Sequence, residues 1–492
     1  MNAIDYNPTI DPSTSDANVP LIPPRFWWLK RITVAIAAVL IVFTILFFWV
    51  EYRSRALLDS RIAEWKAAGQ PVDPQDFNRK TRLPDDRNAA KLYNDAAASF
   101  TWPADIDSTL NLDDVMDLDK HLDEARKVVA ANQSMLLLVH QAGKLDDADW
   151  GEFFGSPMIT NVNPSFAGVR QCAKVGGIAA GVAATDGHLE GSLRYLCDTL
   201  QMAALLEEHT STLVGSMTAV AVENLAISWI EKEAEWFDVD GLNQEQIERS
   251  RLAMNLLINM LLDEKEIEIA WRRDVYLERA GYVDSASSFS SGKINTAAVF
   301  GGLGKAKGSM VSYAQRLIAR PMWRRDAVLC ADWATIAAEI DLARPFGSQA
   351  AIRHQDKSRG VNVSSSVLFY PISSYSFGNF SRLIEQRFHN LARQRMAACA
   401  LAIRMYEWDH GLRPEQLKQL VSDYLPRVPI DPFDPDAGPI RYLPDAMPAR
   451  LYSVGLNESD DNGDLDFRPS GYVDWRKKDI VIWLDPKPNQ QN

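Results

Sequence analysis

The sequence predicts a mainly α-helical chain: an N-terminal transmembrane helix, an antiparallel, solenoid-like helical ectodomain and a small C-terminal α+β module. Three observations predict it. The run "ITVAIAAVLIVFTILFFWV" extends from Ile32 to Val50 without a charge. Apolar residues then recur at helical spacing between short turns over most of the chain. Strand-like runs gather near the C-terminus, after one long helical stretch.

The uncharged run comes first. At about 1.5 Å per residue a helix of this length roughly spans a hydrocarbon core of about 30 Å. Trp27, Trp28, Trp49 and Tyr52 stand where interfacial anchors belong. A soluble core helix seldom stays apolar on every face. The following "FFWVEYRSR" lacks a small-residue cleavage site, so the run reads as an uncleaved signal anchor. Arg25, Lys30 and Arg31 precede it and Arg53, Arg55, Arg61 and Lys66 follow it. The count of flanking cations therefore leaves orientation undecided. No second apolar stretch of spanning length is predicted, which makes this a single-pass protein. The boundaries are a disordered tail over 1–27 and the span over 28–52. A helical ectodomain over 53–285 and a Gly/Ser-rich linker over 286–315 follow. Helices and an irregular segment fill 316–382, the C-terminal module 383–485 and a short tail 486–492.

Helix after helix follows the span. "RSRALLDSRIAEWKAAG" continues it as a stalk ending at Gly69, with Pro71 and Pro74 beyond. "DDRNAAKLYNDAAASF" and "DLDKHLDEARKVVAANQSMLLLVHQAG" each carry a helical period. From Phe166 onward three helices are predicted, broken at Thr185–His188 and His209–Thr212. Gly187 suits the tight turn, and Ser211 or Thr212 the next N-cap. Short turns force antiparallel neighbours, and Gly176, Gly177, Ala179, Ala180 and Gly181 allow close approach. The pairing resembles tetratricopeptide-like solenoids, without a fixed repeat. Asn243 to Gly281 reads as one further long helix.

Composition excludes several functions. The chain is 47% hydrophobic and 24% charged, as a globular protein is, with a net charge of −13. That acidity opposes nucleic-acid binding. Around Gly304-Lys305 a phosphate loop would need Gly where Val299 stands and Ser or Thr where Ala306 stands, so no nucleotide site is predicted. Ser290-Ser291-Gly292-Lys293 matches S-x-x-K without its partner motifs. None of the seven histidines lies three or four residues from another, which excludes a two-histidine metal turn. Glu264 and Glu268 share a helix face, and the adjacent Lys265, Arg272 and Arg273 make that face read as solvated. The four cysteines include no C-x-x-C pair, and buried thiols are expected. Cys172 and Cys197 flank one turn and could pair in an oxidising compartment.

The C-terminal hundred residues carry the strongest pattern. A long helix stops at Gly411, and a short helix with Pro414 in its first turn is expected in "RPEQLKQLVSDYL". Three strand candidates follow: "IRYL", "RLYSVG" and "DIVIWL". The ordered markers are Tyr406 with His410-Gly411, Arg413-Pro414, Asp431-Pro432-Phe433, Leu451-Tyr452-Ser453-Val454-Gly455 and Asp479-Ile480. This order resembles the C-terminal half of the major pseudopilin of type II secretion. A similar module recurs in uncharacterised bacterial single-pass membrane proteins with helical ectodomains. The processed N-terminal motif of pseudopilins is missing, and a large helical region intervenes, so a pilus subunit is not expected.

That resemblance implies an acidic calcium loop between the last two strands. Asn457 stands where the family has its first Asp, and Asp479 matches the Asp before the last strand. With Asp460, Asp461, Asp464 and Asp466 they offer enough oxygens for calcium, the one cofactor expected. An EF-hand is excluded, because Pro469 occupies its twelfth position. A solvated acidic turn is the other reading. Functionally, the sequence predicts a membrane-anchored scaffold or binding protein, with protein partners, at the bacterial envelope. Its large domain lies outside the cytoplasmic membrane. The alternative is an envelope enzyme, hydrolase-like, whose site is assembled from distant residues.

Overall fold

The computed structural model describes residues 26–158, 164, 166–233, 237, 239, 241–291, 310–349, 373–466 and 473–485. The expected tails lie outside these residues, except for 26 and 27. So do the middle of the expected linker and residues 350–372 of the irregular segment. The chain divides into two compact units, Met1–Arg53 and Ser54–Asn492.

Helix α1 (Trp27–Ala67) starts in the first unit and is a single helix of 41 residues. Its N-terminal part is long and apolar enough to cross a membrane. Val34, Val39, Phe43 and Ile45 are each more than 60% exposed. The two hydroxyls of the run Ile32–Val50 are satisfied within the helix, Thr33 donating to the Leu29 carbonyl (2.9 Å) and Thr44 to that of Leu40 (2.7 Å). A hydrocarbon medium requires that arrangement, since it offers no partner of its own. The predicted stalk continues without a break, and Gly69 takes a φ of +70° beyond its end.

The second unit is mainly helical, with a small antiparallel sheet. Helices α2 (Ala89–Ala98), α3 (Leu112–Val115), α4 (Leu118–Ala131) and α5 (Gln133–Ala142) come first. The stretch read as one helix is α4 and α5, broken at Asn132. That buried side chain exchanges two 2.8 Å hydrogen bonds with the backbone of Thr101, which fixes the break. Helices α6 (Ala167–Thr185), α7 (Leu189–His209) and α8 (Leu213–Glu233) follow the predicted turns. Gly187 has a φ of +76°, and the Thr212 hydroxyl caps the Gly215 N–H at 3.1 Å. Gly177 and Gly181 seat the fully buried Trp229 of α8. A Cβ on Gly177 would lie 2.6 Å from Trp229 Cδ1, and one on Gly181 3.0 Å from its Cε3. A second helix, α8, also passes the length and hydropathy test for a span, contrary to expectation. Half of it is buried within the unit, as in the core helix of a soluble domain.

The predicted helix over Asn243–Gly281 is two, α9 (Gln244–Leu262) and α10 (Lys265–Ser291). They part at Asp263 and Glu264, where Glu264 turns inward to Arg395. Helix α10 thus continues six residues into the expected linker, and α11 (Met310–Ala337) begins before its expected end. Helix α12 (Ser373–His410) ends at Gly411, with a φ of +69°. The short helix expected next is only a 3-10 turn, Leu417–Leu420. Gln416 and Gln419 cap its start and Tyr424 is drawn back to Asp409 by a 2.6 Å hydrogen bond.

Strands β1 (Arg441–Leu443), β2 (Arg450–Ser453) and β3 (Ile480–Trp483) form an antiparallel sheet in that order. Tyr442 faces Leu451, and Leu451 faces Ile482. One apolar core continues from Leu58 and Trp65 through α7, α8 and α9 to Leu451, Ile480 and Ile482. A smaller one gathers Tyr93, Met135, Trp150 and Phe166. Phe346, Phe388 and Phe433 meet ring to ring, and the Phe346 N–H donates to the Pro432 carbonyl at 2.8 Å. Helix α12 therefore belongs to the sheet and to the helical array alike, and the boundary read at 383 falls inside one packed body.

Candidate functional site

The acidic stretch folds inward around Asp479, which is fully buried. The turn is made by left-handed residues: Gly455, Glu458, Asn462 and Gly463 have φ between +55° and +72°. A Cβ on Gly455 would lie 2.5 Å from the Lys478 carbonyl oxygen. Asp479 accepts the N–H groups of Asp461 (3.3 Å) and Gly463 (2.6 Å). Burial, more than its acidic neighbours, pushes its carboxyl up to about 6. Each of the other expected calcium ligands has a partner. Asp460 pairs with Arg441 (2.9 Å), Asp464 with Lys478 and Asp466 with Lys477 (3.1 Å). Asn457 donates to Asp461 at 2.9 Å.

The donor set does not fit calcium. Cation ligands need several free oxygens converging on one point, and here basic side chains take three of the five carboxylates, Asp461 accepts from the Asn457 amide and Asp479 from two backbone N–H groups. No group of three or more His, Cys, Asp or Glu able to hold a metal occurs among the described residues. The other reading, a solvated turn, fits the loop better: Asn457, Ser459, Asp460, Asn462 and Asp464 are exposed to solvent, and the loop closes over the buried Asp479. The expected Asp431-Pro432-Phe433 turn has a structural use the sequence reading missed. Asp431, also fully buried, accepts from Ser453 Oγ (2.6 Å), the Val454 N–H (2.9 Å) and Arg441 Nη1 (3.3 Å). Arg441 thereby links the turn, β1 and the acidic loop.

A cleft lies elsewhere. It has a volume of about 660 Å³ and opens between the start of α6, one face of α8, and α12. Val214, Met217, Thr218, Ala221 and Asn224 line it from α8, spaced as one helix face. Phe166 and Arg170 contribute from the α6 side, Gln386 and His389 from α12, and Trp475 from the segment before β3. The rings of Trp475 and His389 lie 4.3 Å apart. Burial, then the nearby Arg393 guanidinium, pulls His389 down to about 3, so its imidazole is neutral at physiological pH.

A polar network holds the cleft's shape. Arg387 pairs with Glu207 at 2.5 Å in the interior, and the Ser216 hydroxyl donates to the same carboxylate at 3.0 Å. Arg393 pairs with Glu231 at 2.8 Å and donates to Asn224 Oδ1 and Ser228 Oγ. Glu223 accepts from the amides of Asn390 and Gln394. Burial pushes Glu223 up to about 7 and lifts Asp274 well above the usual carboxylate range. Such pairs are strongly destabilising to break from one side, so they fix how α8 and α12 meet. Arg387, Arg393 and Arg395 recur on α12 among apolar residues, the signal that could have revealed an inward charged face.

Other predicted residues find different roles. Glu264 is not on a solvated face: it accepts a two-pronged contact from Arg395, both at 2.7 Å. Glu268 accepts the Leu342 N–H at 2.8 Å. Cys172 and Cys197 are free. Cys172 faces the Tyr93 carbonyl at 3.8 Å and Cys197 that of Ala253 at 3.9 Å. Burial pushes both thiols up to about 12, which leaves them inert. No protein-family model, curated protein or solved structure matches this chain.

Proposed function

We propose that this chain is a membrane-anchored binding protein or scaffold of the bacterial envelope, single-pass in the cytoplasmic membrane, with its large unit outside. The cleft carries the reading. It joins an apolar helix face to a few polar groups, the usual make-up of a ligand site, and salt bridges hold its walls in place. Protein partners at the envelope belong to the same proposal, and so does kinship of the C-terminal part with the pseudopilin module. In support of that kinship, a long helix precedes a three-stranded meander clamped by an Asp-Pro turn. The alternative, a hydrolase-like enzyme, has Glu223 and Asp274 in its favour, since raised carboxyls mark many catalytic acids. Neither lines the cleft, however, and Glu223 is occupied by Asn390 and Gln394. The binding reading therefore accounts for more of the geometry.

The anchor half of the proposal is tested by Leu40→Arg with Val42→Arg. Each central charge costs about 2.5 to 3.5 kcal/mol on insertion scales. The native chain should resist carbonate extraction, and the double variant should be released or fail to insert. A double variant that remains membrane-integrated would refute the anchor.

A further inference from the structure

We propose that the cleft between α6, α8 and α12 binds a small amphiphilic monocarboxylate, its apolar body on the α8 face and its carboxylate on Arg170. The inference rests on the binding reading above and names the ligand class. Arg170 and His389 are the titratable side chains among the described residues that line the cleft. His389 is held neutral, so Arg170 supplies the charge. A cleft lined by a guanidinium and by no described carboxylate selects for anions over cations. Arg170 is exposed, and while its backbone N–H donates to the Phe166 carbonyl, its guanidinium has no ion-pair or hydrogen-bond partner among the described residues. Its planar fork matches a carboxylate in a two-pronged contact.

The rest of the lining sets the ligand's body. Val214 is 52% and Met217 47% exposed on a helix whose other side is core. From Val214 to Asn224 the α8 face runs about 15 Å at about 1.5 Å per residue. An extended apolar chain covers such a face. His389 and Gln386 add neutral donors and acceptors to the lining. The volume of about 660 Å³ lies inside the range of roughly 300–1,000 Å³ typical of small-molecule sites. A cation would be repelled by Arg170. A fully polar anion would leave the α8 face uncovered, and a neutral lipid would leave the guanidinium unpaired.

The test uses the full chain in lipid nanodiscs, with calorimetric titration corrected for empty discs. The probes are octanoate, octanol, octylammonium and acetate. Octanoate should bind about tenfold or more tightly than octanol, as a charge-assisted contact predicts, with acetate and octylammonium weaker still. Arg170→Gln should bring the octanoate-to-octanol ratio close to one, and Met217→Asp should abolish octanoate binding. Both side chains are exposed, so an unchanged melting temperature separates lost binding from lost fold. Octanol or octylammonium binding as tightly as octanoate would overturn the carboxylate assignment. So would a ratio unchanged in Arg170→Gln. If such binding were lost in Met217→Asp, the cleft would remain a binding site for another class of ligand. Binding by none of the probes overturns this proposal, while the anchor stands or falls by the extraction assay.

Discussion

Arg395→Met isolates the contact that ties the C-terminal sheet to the helical array. Arg395 donates twice to Glu264 at 2.7 Å, to the Ile430 carbonyl at 2.9 Å and to the Leu342 carbonyl at 3.2 Å. Its side chain is 5% exposed and that of Glu264 20%. Methionine fills much of the same volume but leaves one carboxylate without its cation and two carbonyls without this donor. Breaking a buried pair from one side costs about 3–5 kcal/mol. Glu264 retains some contact with water, which places the loss near the lower end, about 3 kcal/mol. Unfolding entropy of about 2.1 cal/mol/K per residue, over a unit of this length, makes 1 kcal/mol worth about 1 °C. Differential scanning calorimetry should therefore show a fall of about 3 °C. Adding Glu264→Leu should recover at least half of it, because the stranded charge is then gone. A single variant that melts within 1 °C of the native chain would refute the reasoning. A double variant that loses the sum of both changes would do the same.

Further outcomes follow from the same geometry. Gly177→Ala gains about 1 kcal/mol of helix propensity but drives a methyl into the Trp229 ring, at an overpacking cost of about 1–3 kcal/mol. A net loss in urea denaturation is expected, and a stabilised variant would show that the ring yields freely. Glu223 near 7 and Asp479 near 6 both lie above their usual carboxylate values. Each binds its proton more tightly folded than unfolded, so its contribution is full below the unfolded value and lost as pH rises through the folded one. Melting temperature should therefore fall between about pH 5 and pH 7.5, and a rise across that window would contradict the burial of these groups. Neither calcium nor a chelator should move the melting temperature of the full chain by more than about 1 °C, because a ligand that does not bind cannot stabilise. An upward shift with calcium, absent with magnesium, would reinstate the acidic loop as a metal site.

Much of the fold was legible because local physics decides it. Nothing on the run from Ile32 to Val50 competes with the helix it forms, and Gly69, Gly187 and Gly411 end helices where a positive φ is needed. The three strands fall on the three predicted runs. Breaks at Asn132 and Glu264 were not legible, since each depends on a partner far away in sequence, Thr101 for one and Arg395 for the other. The same reason hid the site. The acidic residues from Asp460 to Asp466 advertise a metal, but Arg441, Lys477 and Lys478 reach them only after the sheet has formed. The cleft announces itself by no motif. Arg170, Met217, His389 and Trp475 are ordinary residues until α6, α8 and α12 bring them together.

The central claim is that α1 holds a binding unit on the outer side of the cytoplasmic membrane. Alkaline phosphatase fused after Asn492 tests it most directly, because that enzyme is active only after export to an oxidising compartment. The account predicts high phosphatase activity recovered in the membrane fraction. Full-length fusion protein that is stable, membrane-bound and inactive would place the large unit in the cytoplasm and contradict it.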